Sequence, residues 1–321
     1  MKRLFFSILA LAAPFVLLLG KCEWRFHQVP WNEYAAKRAL LEARADKVEV
    51  LVMGSSHAYR GILPSQLHPQ AFNLAGLSQT LYYDQALVKK YLPKVPSLKM
   101  VILPVSYFSL ECQLDEGIEK WRCFYYAYHY QLPHRNWHEN WNSRNFSAFF
   151  LGSQQLGYKP MLRGALFDVR SRFDAQGGDA APVAAPENEP APCQAERLRQ
   201  SALGALQRHH QMMRPENVQE NRRLLEDFIW HLKQRGIEVV LVTLPTSRYY
   251  AQGMDPSHYQ RMQATLQDLS AFCGVTYLNY TRDERFSDQD FADSDHLNTA
   301  GASKFTRILK EEAVAQCQPF F

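Results

Sequence analysis

Two short segments of the sequence hold the residue types that a serine-based nucleophilic reaction needs. The first is Gly54-Ser55-Ser56-His57, and the second, near the other end, is Asp293-Ser294-Asp295-His296. A serine hydroxyl becomes a good nucleophile when a neighbouring base accepts its proton. An aspartate three residues before a histidine can orient the imidazole through one ring nitrogen, which leaves the other nitrogen to act as that base. The pattern therefore predicts a triad of Ser56, His296 and Asp293.

Each segment also has a purely structural interpretation. A Gly-Ser-Ser sequence after a strand commonly forms a plain turn. Asn298 or Thr299 could cap the helix that follows His296 without any catalytic role. Either segment alone is weak evidence, so the prediction depends on the two segments meeting in space.

Short apolar segments alternate with helical segments along much of the chain. The predicted strands cover 47–53, 71–74, 99–105, 237–244 and 275–279, and the predicted helices cover 31–46, 79–92, 214–235, 256–272 and 299–315. This alternation predicts an α/β fold with three layers, α/β/α, around a central parallel sheet. Ligands bind beyond the carboxyl ends of the strands in such sheets, and Ser56 follows the first predicted strand.

One long segment does not fit the alternation. Residues 107–215 form a predicted insertion after the third strand, and its stretch 176–192 is rich in Ala, Pro and Gly, which indicates an exposed and mobile loop. We therefore predict three regions: an N-terminal segment at 1–21, a connecting helix at 22–46, and a main domain at 47–321 that includes the insertion.

The N-terminus has the pattern of a membrane anchor or a signal peptide. Lys2 and Arg3 precede an uncharged run from Leu4 to Gly20. A helix of that length spans roughly 26 Å, slightly less than a bilayer core. The residues before Cys22 offer no small-residue cleavage site, which favours an uncleaved anchor. This predicts a single N-terminal span in the inner (cytoplasmic) membrane, with the main domain in the periplasm.

Composition argues against nucleic acid and metal as partners. The net charge is +4, and no basic stretch accompanies a nucleic-acid motif. Neither the cysteines nor the histidines have the spacing of a metal site, so we predict no metal and no other cofactor. Cys112 with Cys123, and Cys273 with Cys317, are candidate disulfides, and free buried thiols are the alternative.

At its two chemical segments the sequence resembles the SGNH/GDSL hydrolase superfamily, which has a serine motif after the first strand and Asp-x-x-His before the last helix. The resemblance is greater to the branch that contains DltD and the periplasmic polysaccharide O-acetyltransferases. In that branch Gly-Asp-Ser becomes Gly-Ser-Ser, as at 54–56, and the late motif reads Asp-x-Asp-His-Leu-Asn with a following Gly-Ala, as at 293–298 and 301–302. The resemblance covers 48–309 and implies a three-layer, flavodoxin-like domain.

The resemblance implies that Ser56 is the nucleophile, His296 the general base and Asp293 its orienting partner, while Asp295 contributes less. An acyl-Ser56 intermediate would pass an acetyl or D-alanyl group to a hydroxyl of a cell-envelope glycan. A multi-spanning membrane acyltransferase is the partner that related systems imply. The alternatives are a glycan esterase with the same triad, and a non-catalytic glycan-binding or scaffold subunit of an acylation complex.

The resemblance also implies an oxyanion hole, which would use the backbone amides of Ser56 and Gly76. The asparagine that the family places after the third strand is absent here, and Ser106 is a weak substitute donor. Losing one such donor typically costs about 10²–10³ in rate, which suits a slow, specific transferase. Three further residues are candidate substrate contacts: His57, Arg60 and Asn73. Capping of surface structure is the alternative for His57 and Arg60, and a turn position is the favoured alternative for Asn73.

Overall fold

The computed structural model describes residues 2–152, 169–179 and 189–316. The strands of the described residues are β1 Val50–Val52, β2 Ala71–Asn73, β3 Met100–Pro104, β4 Glu238–Thr243 and β5 Thr276–Asn279. The helices are α1 Lys2–Gln28, α2 Glu33–Glu42, α3 Ser56–Gly61, α4 Pro64–Leu67, α5 Leu81–Tyr91, α6 Arg122–Tyr130, α7 Ala148–Gly152, α8 Ala191–Met212, α9 Val218–Lys233, α10 Arg248–Gly253, α11 Pro256–Cys273 and α12 Thr299–Gln316.

The chain divides into two units. The sheet unit comprises Leu40–Lys120 and Arg172–Phe321, and the helical unit comprises Met1–Ala39 and Trp121–Ser171. The helical unit contains α1, α6, α7 and most of α2, whereas every described strand belongs to the sheet unit.

The sheet has five parallel strands in the order β2-β1-β3-β4-β5. β1 lies between β2 and β3, so that Val52 is opposite Asn73 on one side and Ile102 on the other. β1 and β3 are buried along their whole length. Continuous apolar strands are expected where helices cover both faces of a sheet. The predicted parallel sheet and the three-layer α/β/α fold are confirmed.

The strand order determines which helices share a face. The chain moves from β1 to β2 in one direction and from β2 across to β3, β4 and β5 in the other. Because parallel crossovers are right-handed, the two directions place their helices on opposite faces. Accordingly, α9 contacts α5 and α11 on one face, and α12 contacts α3 and α4 on the other. The direction reverses at β1, and the crevice at such a reversal is where ligands bind.

Helix α11 has boundary residues that explain its limits. α11 begins after Asp255, whose Oδ1 accepts the Ser257 N–H at 2.8 Å, and Pro256 occupies its first position. It ends at Gly274, which has a φ of +61°. Glycine adopts this left-handed conformation without the steric cost that a side chain brings, so the helix stops there.

Aromatic side chains from α2 and α6 form the core of the helical unit. The rings of Tyr34 and Tyr125 stack with their centroids 5.2 Å apart. Tyr128 Oη donates to Glu23 Oε1 at 3.0 Å, so the buried hydroxyl has a partner. The tyrosines of this segment therefore pack inside the unit.

The prediction of an exposed loop at 176–192 is wrong in part: a turn does lie at 176–178, but it is bonded to β2 and partly buried, and the last two residues begin a helix. The Gln176 carbonyl accepts the Asn73 N–H at 2.8 Å, because the edge strand β2 needs a partner for its outer backbone groups. Gly177, with a φ of +74°, lies against the ring of Phe72. At the other end, residues 191 and 192 begin α8. Residues 180–188 lie outside the described residues.

The predicted membrane anchor at 1–21 is also wrong. α1 continues as far as Gln28 and includes Lys21, Glu23 and Arg25, and Pro14 lies inside it. These charged residues lie in the same helix directly after the uncharged run from Leu4 to Gly20. Among the described residues, no helix combines the length and the apolar character that crossing a bilayer requires. The prediction of a single N-terminal span with a periplasmic domain is corrected on this finding.

The predicted disulfide between Cys112 and Cys123 does not form. The Cys112 thiol is free and buried, in a cluster that includes Tyr107, Ala205 and Tyr250. The Cys273 thiol is also free, and its suggested partner, Cys317, lies outside the described residues.

Candidate active site

The turn that carries the serine begins where β1 ends. Gly54 has a φ of +103°, and a Cβ at this position would lie 3.1 Å from the carbonyl oxygen of Pro104. Glycine is therefore required both by conformation and by space. Ser55 follows as the N-cap, and Ser56 is the first residue of α3. The Ser56 amide has no intrahelical partner, as is usual in the first turn of a helix.

The peptide groups of Gly54 are held from two sides. Asp84 Oδ1 accepts the Gly54 N–H at 2.8 Å and the Gln79 Nε2 proton at 2.6 Å. The Gly76 N–H donates to the Gly54 carbonyl at 3.1 Å. Burial raises the pKa of Asp84 to about 7, although the hydrogen bonds from Gln79 and Gly54 act to lower it. Nothing in the sequence pattern singled out Asp84, because its role arises only from the fold.

The amide of Gly76 was a predicted oxyanion donor, and in this structure it is used by Gly54. The oxyanion role of Gly76 stays a prediction. The hydrogen bond from the Gly76 N–H to the Gly54 carbonyl argues against it. The Ser56 amide then becomes the principal backbone donor beside the serine hydroxyl.

Ser56, His296 and Asp293 meet in space although 240 residues separate the serine from the histidine. His296 Nε2 lies 2.8 Å from Ser56 Oγ, and His296 Nδ1 lies 2.8 Å from Asp293 Oδ1. The carboxylate accepts the Nδ1 proton, which leaves Nε2 to accept the proton of the serine. The two segments that the sequence analysis singled out therefore form one hydrogen-bonded chain.

A tight loop holds Asp293 and His296 in position. Phe291 and Leu297 form an antiparallel bridge, and the Ala292 N–H donates to the His296 carbonyl at 2.9 Å. Asp293 Oδ1 also accepts the backbone N–H of His296 at 2.9 Å. The carboxylate is thus fixed to the same residue whose ring it orients.

Asn298 caps the following helix, as the structural interpretation of this motif predicted. Its Oδ1 accepts the Gly301 N–H at 2.9 Å, and its Nδ2 donates to the Gln289 carbonyl at 2.7 Å. A Cβ at Gly301 would clash with the Asp290 carbonyl. The late motif therefore does two things: it orients a histidine and it starts α12.

His57 and Ser106, which were predicted to contact substrate or an oxyanion, are buried and bonded to each other. His57 Nδ1 lies 2.8 Å from Ser106 Oγ, and His57 Nε2 lies 3.2 Å from Asp295 Oδ2. Neither side chain is available to a bound substrate. This contact could not be predicted from the sequence, because it joins the ends of β1 and β3 to the loop at 291–297 that carries Asp293 and His296, here called the late loop.

Arg60 and Asn73, the other two predicted substrate contacts, differ in exposure. Arg60 Nη1 lies 3.5 Å from Asp293 Oδ2, and its side chain is partly exposed. Asn73 is fully buried, and its Nδ2 donates to the carbonyls of Ala58 and Ile62 at 3.0 and 2.9 Å. Asn73 therefore has the structural role that was its alternative, whereas Arg60 lies at the edge of the site.

A narrow cavity of ≈ 70 Å³ opens beside Ser56. Pockets for drug-sized ligands typically measure about 300–1,000 Å³, so this cavity suits only a short chemical group. Its lining is mixed. The polar residues are Ser78, Gln79, Thr80, Ser109, Gln113 and Glu119, and the apolar or sulfur-containing residues are Phe108, Cys112, Leu114 and Met212. A larger cleft of ≈ 820 Å³ lies along α12, but no triad residue lines it.

His209 from α8 also lines the cavity. Its ring packs against Phe108 with the centroids 4.2 Å apart, and its Nδ1 lies 2.7 Å from Tyr250 Oη. Burial lowers the pKa of His209 to about 3, and burial raises the pKa of Tyr250 well above its ordinary value. His209 is therefore neutral, and the Tyr250 hydroxyl donates to it. The sequence pattern gave no signal for this residue beyond the His209-His210 pair.

Three ligand-type side chains lie close to one another, His57, Asp295 and His296, with potential ligand atoms within 4.8 Å. Each is already engaged within the protein, since His57 bonds to Asp295 and His296 bonds to Asp293. We therefore assign them to the hydrogen-bond network of the site and not to a metal centre.

No protein-family model and no curated protein matches this chain. Among solved structures, it is similar to a GDSL-like lipase from Bacteroides thetaiotaomicron at 11% identity and a TM-score of 0.40, with 89% of this chain and 99% of that chain covered. It is also similar to a lipase/acylhydrolase from Enterococcus faecalis at 9% identity and a TM-score of 0.39, with 85% and 98% covered. A third structure, named provisionally as an acylhydrolase from Bacteroides fragilis, has 11% identity, a TM-score of 0.42 and coverage of 86% and 92%.

These likenesses are too distant to carry an argument about activity, so the assignment depends on the chain's own fold and motifs. The serine follows the first strand of a parallel sheet, and the aspartate and histidine precede the last described helix. The order of these elements and of the three residues is the one that the SGNH/GDSL resemblance implies, while the narrower resemblance to the DltD branch stays a prediction.

Proposed function

We propose that the protein is a serine acyl-transfer enzyme that works through an acyl-Ser56 intermediate. The observation that carries this proposal is the chain of two 2.8 Å contacts from Asp293 through His296 to Ser56. In this geometry His296 Nε2 accepts the Ser56 proton as Oγ attacks an ester carbonyl. The protonated ring then donates that proton to the leaving alcohol, and the acyl group stays on Oγ.

In the second half of the reaction an acceptor hydroxyl takes the acyl group. His296 removes the acceptor's proton as its oxygen attacks the acyl-Ser56 carbonyl, and the ring returns the proton to Oγ as the bond breaks. Asp293 keeps the ring oriented throughout. The amide of Ser56 donates to the oxyanion of each tetrahedral intermediate.

The cavity beside the serine supports a short acyl group. At ≈ 70 Å³ it has room for an acetyl or similarly small group but not for a fatty acyl chain. The acceptor that we propose is a hydroxyl of a cell-envelope glycan, and the proposed donor partner is a multi-spanning membrane acyltransferase. Only the resemblance to the polysaccharide O-acetyltransferases supports these two assignments.

Hydrolysis is the second candidate, in which water is the acceptor. The Asp293 side chain is 36% exposed, so solvent reaches the edge of the triad. This exposure favours water as a competitor for the acyl-enzyme. A non-catalytic scaffold is a weaker candidate, because a protein without a reaction would have no need for an aligned triad.

The test is covalent labelling with p-nitrophenyl acetate, read by intact-protein mass spectrometry. Wild type should gain one acetyl group, and Ser56→Ala should gain none. Ser55→Ala is the matched control, because its hydroxyl is buried and has no hydrogen-bond partner among the described residues. The control should label as wild type does. Equal labelling of all three proteins would exclude the acyl-Ser56 mechanism.

Transfer and hydrolysis are separated by the fate of the label. If a soluble oligosaccharide such as chitotriose speeds loss of the acyl-enzyme and gains an acetyl group, the acceptor is a sugar. If deacylation is unchanged and free acetate accumulates, the protein is an esterase.

A further inference from the structure

A second serine–histidine–aspartate chain lies directly beside the triad. Ser106 Oγ is 2.8 Å from His57 Nδ1, and His57 Nε2 is 3.2 Å from Asp295 Oδ2. The order of nitrogens is reversed relative to the triad, where the serine meets Nε2 and the aspartate meets Nδ1. All three residues of this second chain are buried, so its serine cannot meet a substrate.

The second hydrogen-bonded series, Ser106–His57–Asp295, ends beside the ring of His296. Asp295 Oδ1 lies 3.8 Å from His296 Nδ1, and the rings of His57 and His296 meet edge to face with centroids 5.1 Å apart. A separation of 3.8 Å is too long for a hydrogen bond, so Asp295 acts on His296 through charge. We propose that Asp295 is a second carboxylate for His296: buried, held by His57, and placed to stabilise the imidazolium that forms during acyl transfer. The inference rests on the proposed function.

The hydrogen bonds around Asp295 indicate that it is ionised. Ser294 Oγ donates to Asp295 Oδ1 at 3.1 Å. Neutral His57 can accept the Ser106 proton at Nδ1 and donate its Nε2–H to Asp295. Burial acts to raise the pKa of Asp295, but the facing His296 and the hydrogen bond from His57 outweigh it, and the pKa lies well below its ordinary value.

The two carboxylates therefore differ in what they contribute. Asp293 makes the direct hydrogen bond, but its side chain is 36% exposed and Arg60 lies 3.5 Å away, so solvent and a cation weaken its field. The Asp295 side chain is only 4% exposed, so its charge is poorly screened. Asp293 fixes the orientation of the ring, and Asp295 sets much of the electrostatic environment.

The titratable and charged groups that face Asp295 and His296 come from four parts of the fold. They are His57 and Arg60 on α3, Asp293 on the late loop, His209 with its neighbour Arg208 on α8, and Tyr250 on α10. His209 and Tyr250 are neutral for the reasons given above. Arg60 lies against Asp293, and the charge of Arg208 acts to lower the pKa values of His209 and Tyr250.

The test is the pH dependence of kcat/KM for p-nitrophenyl acetate in Asp295→Asn. An anion near an imidazole favours its protonated, inactive form, so removing the anion should move the pH of half-maximal activity down by about 1 unit. The plateau of kcat should fall about tenfold while KM changes little. Asp268→Asn on α11, a surface carboxylate with its side chain 66% exposed, should keep the wild-type profile.

A second pair of variants keeps the test informative if Asp295→Asn folds poorly. His57→Gln retains an N–H donor for Asp295. It should keep the acid limb of the profile, the rise of kcat/KM with pH on the acid side, near its wild-type pH. His57→Leu removes the donor and should move the limb in the direction of Asp295→Asn. An unchanged acid limb in both Asp295→Asn and His57→Leu, with Ser56 still acetylated in wild type, would overturn this inference and leave the proposed function intact. If wild type itself shows no acylation of Ser56, it is the proposed function that fails.

Discussion

Asn73 holds the carboxyl end of the helix that carries the serine, because its Nδ2 donates to the Ile62 carbonyl at 2.9 Å. The same nitrogen donates to the Ala58 carbonyl at 3.0 Å, and Oδ1 accepts the Ala75 N–H at 3.0 Å. One buried amide on β2 therefore joins α3 to the turn that follows β2. The position of Ser56 depends on a residue that never approaches the substrate.

Asn73→Ala should lower the free energy of unfolding by about 2–4 kcal/mol, because it removes three buried hydrogen bonds. Chemical denaturation monitored by circular dichroism measures this change. Gln289→Ala, at an exposed position, should stay within about 0.5 kcal/mol of wild type. A loss below about 1 kcal/mol in Asn73→Ala would mean that water or a shift of α3 replaces the amide.

Asp293→Asn should lower kcat about 10⁴-fold with little change in KM, since the neutral amide no longer stabilises the imidazolium and its NH2 group, when it faces Nδ1, imposes the unproductive tautomer of the ring. Steady-state kinetics with p-nitrophenyl acetate measures both constants. The contrast with Asp295→Asn is informative, because that variant should lose far less. A loss smaller than tenfold in Asp293→Asn would show that another carboxylate orients His296.

Met212→Ala should widen the acyl cavity, because the Met212 side chain lines it. The ratio of kcat/KM for p-nitrophenyl butyrate to that for the acetate should rise about tenfold, as expected when a pocket gains room for one or two methylene groups. Met254→Ala is the matched control, since Met254 is buried and does not line the cavity. An unchanged chain-length preference in Met212→Ala would place the acyl group elsewhere.

Asp84 should make stability depend on pH. Burial raises its pKa to about 7, whereas the unfolded chain has the ordinary value near 4. The folded protein therefore holds the proton to higher pH than the unfolded chain does. The associated stability is fully present below about pH 4 and is lost as the pH rises towards 7, on the order of 4 kcal/mol in all.

Unfolding free energies measured at pH 5 and pH 8 for wild type and Asp84→Asn check this expectation. The difference between the two pH values should be smaller in Asp84→Asn, because the amide does not titrate. Asp268→Asn, on the surface of α11, should retain the wild-type difference. Equal pH dependence in all three proteins would show that Asp84 does not titrate in this range.

The sequence predicted the sheet well because the relevant signals are local. β1 and β3 are continuous apolar runs, as is the middle of β4, and two covered faces are the usual cause of such runs. The aspartate and histidine of the triad are likewise three residues apart, so their contact is a property of one loop. Boundaries were less accurate, because strand ends depend on pairing with neighbours.

What sequence analysis missed depends on contacts between distant segments. His57 follows the serine directly and looked like a substrate contact, but β3 and the late loop close over it. Asp84 has no motif around it, and only the fold brings it to Gly54. α8 was missed because a segment rich in Ala, Pro and Gly precedes it and hid its start.

The long separation between the serine and its base has a consequence for a chain that is still being synthesised. Ser56 leaves the ribosome 240 residues before His296, an interval of roughly 10–50 seconds at ordinary translation rates. Throughout that time the Ser56 hydroxyl lacks the His296 base that the proposed mechanism requires. Under the proposed function, the serine therefore becomes an activated nucleophile only after α12 packs against α3 and α4, when the late segment of the chain has folded.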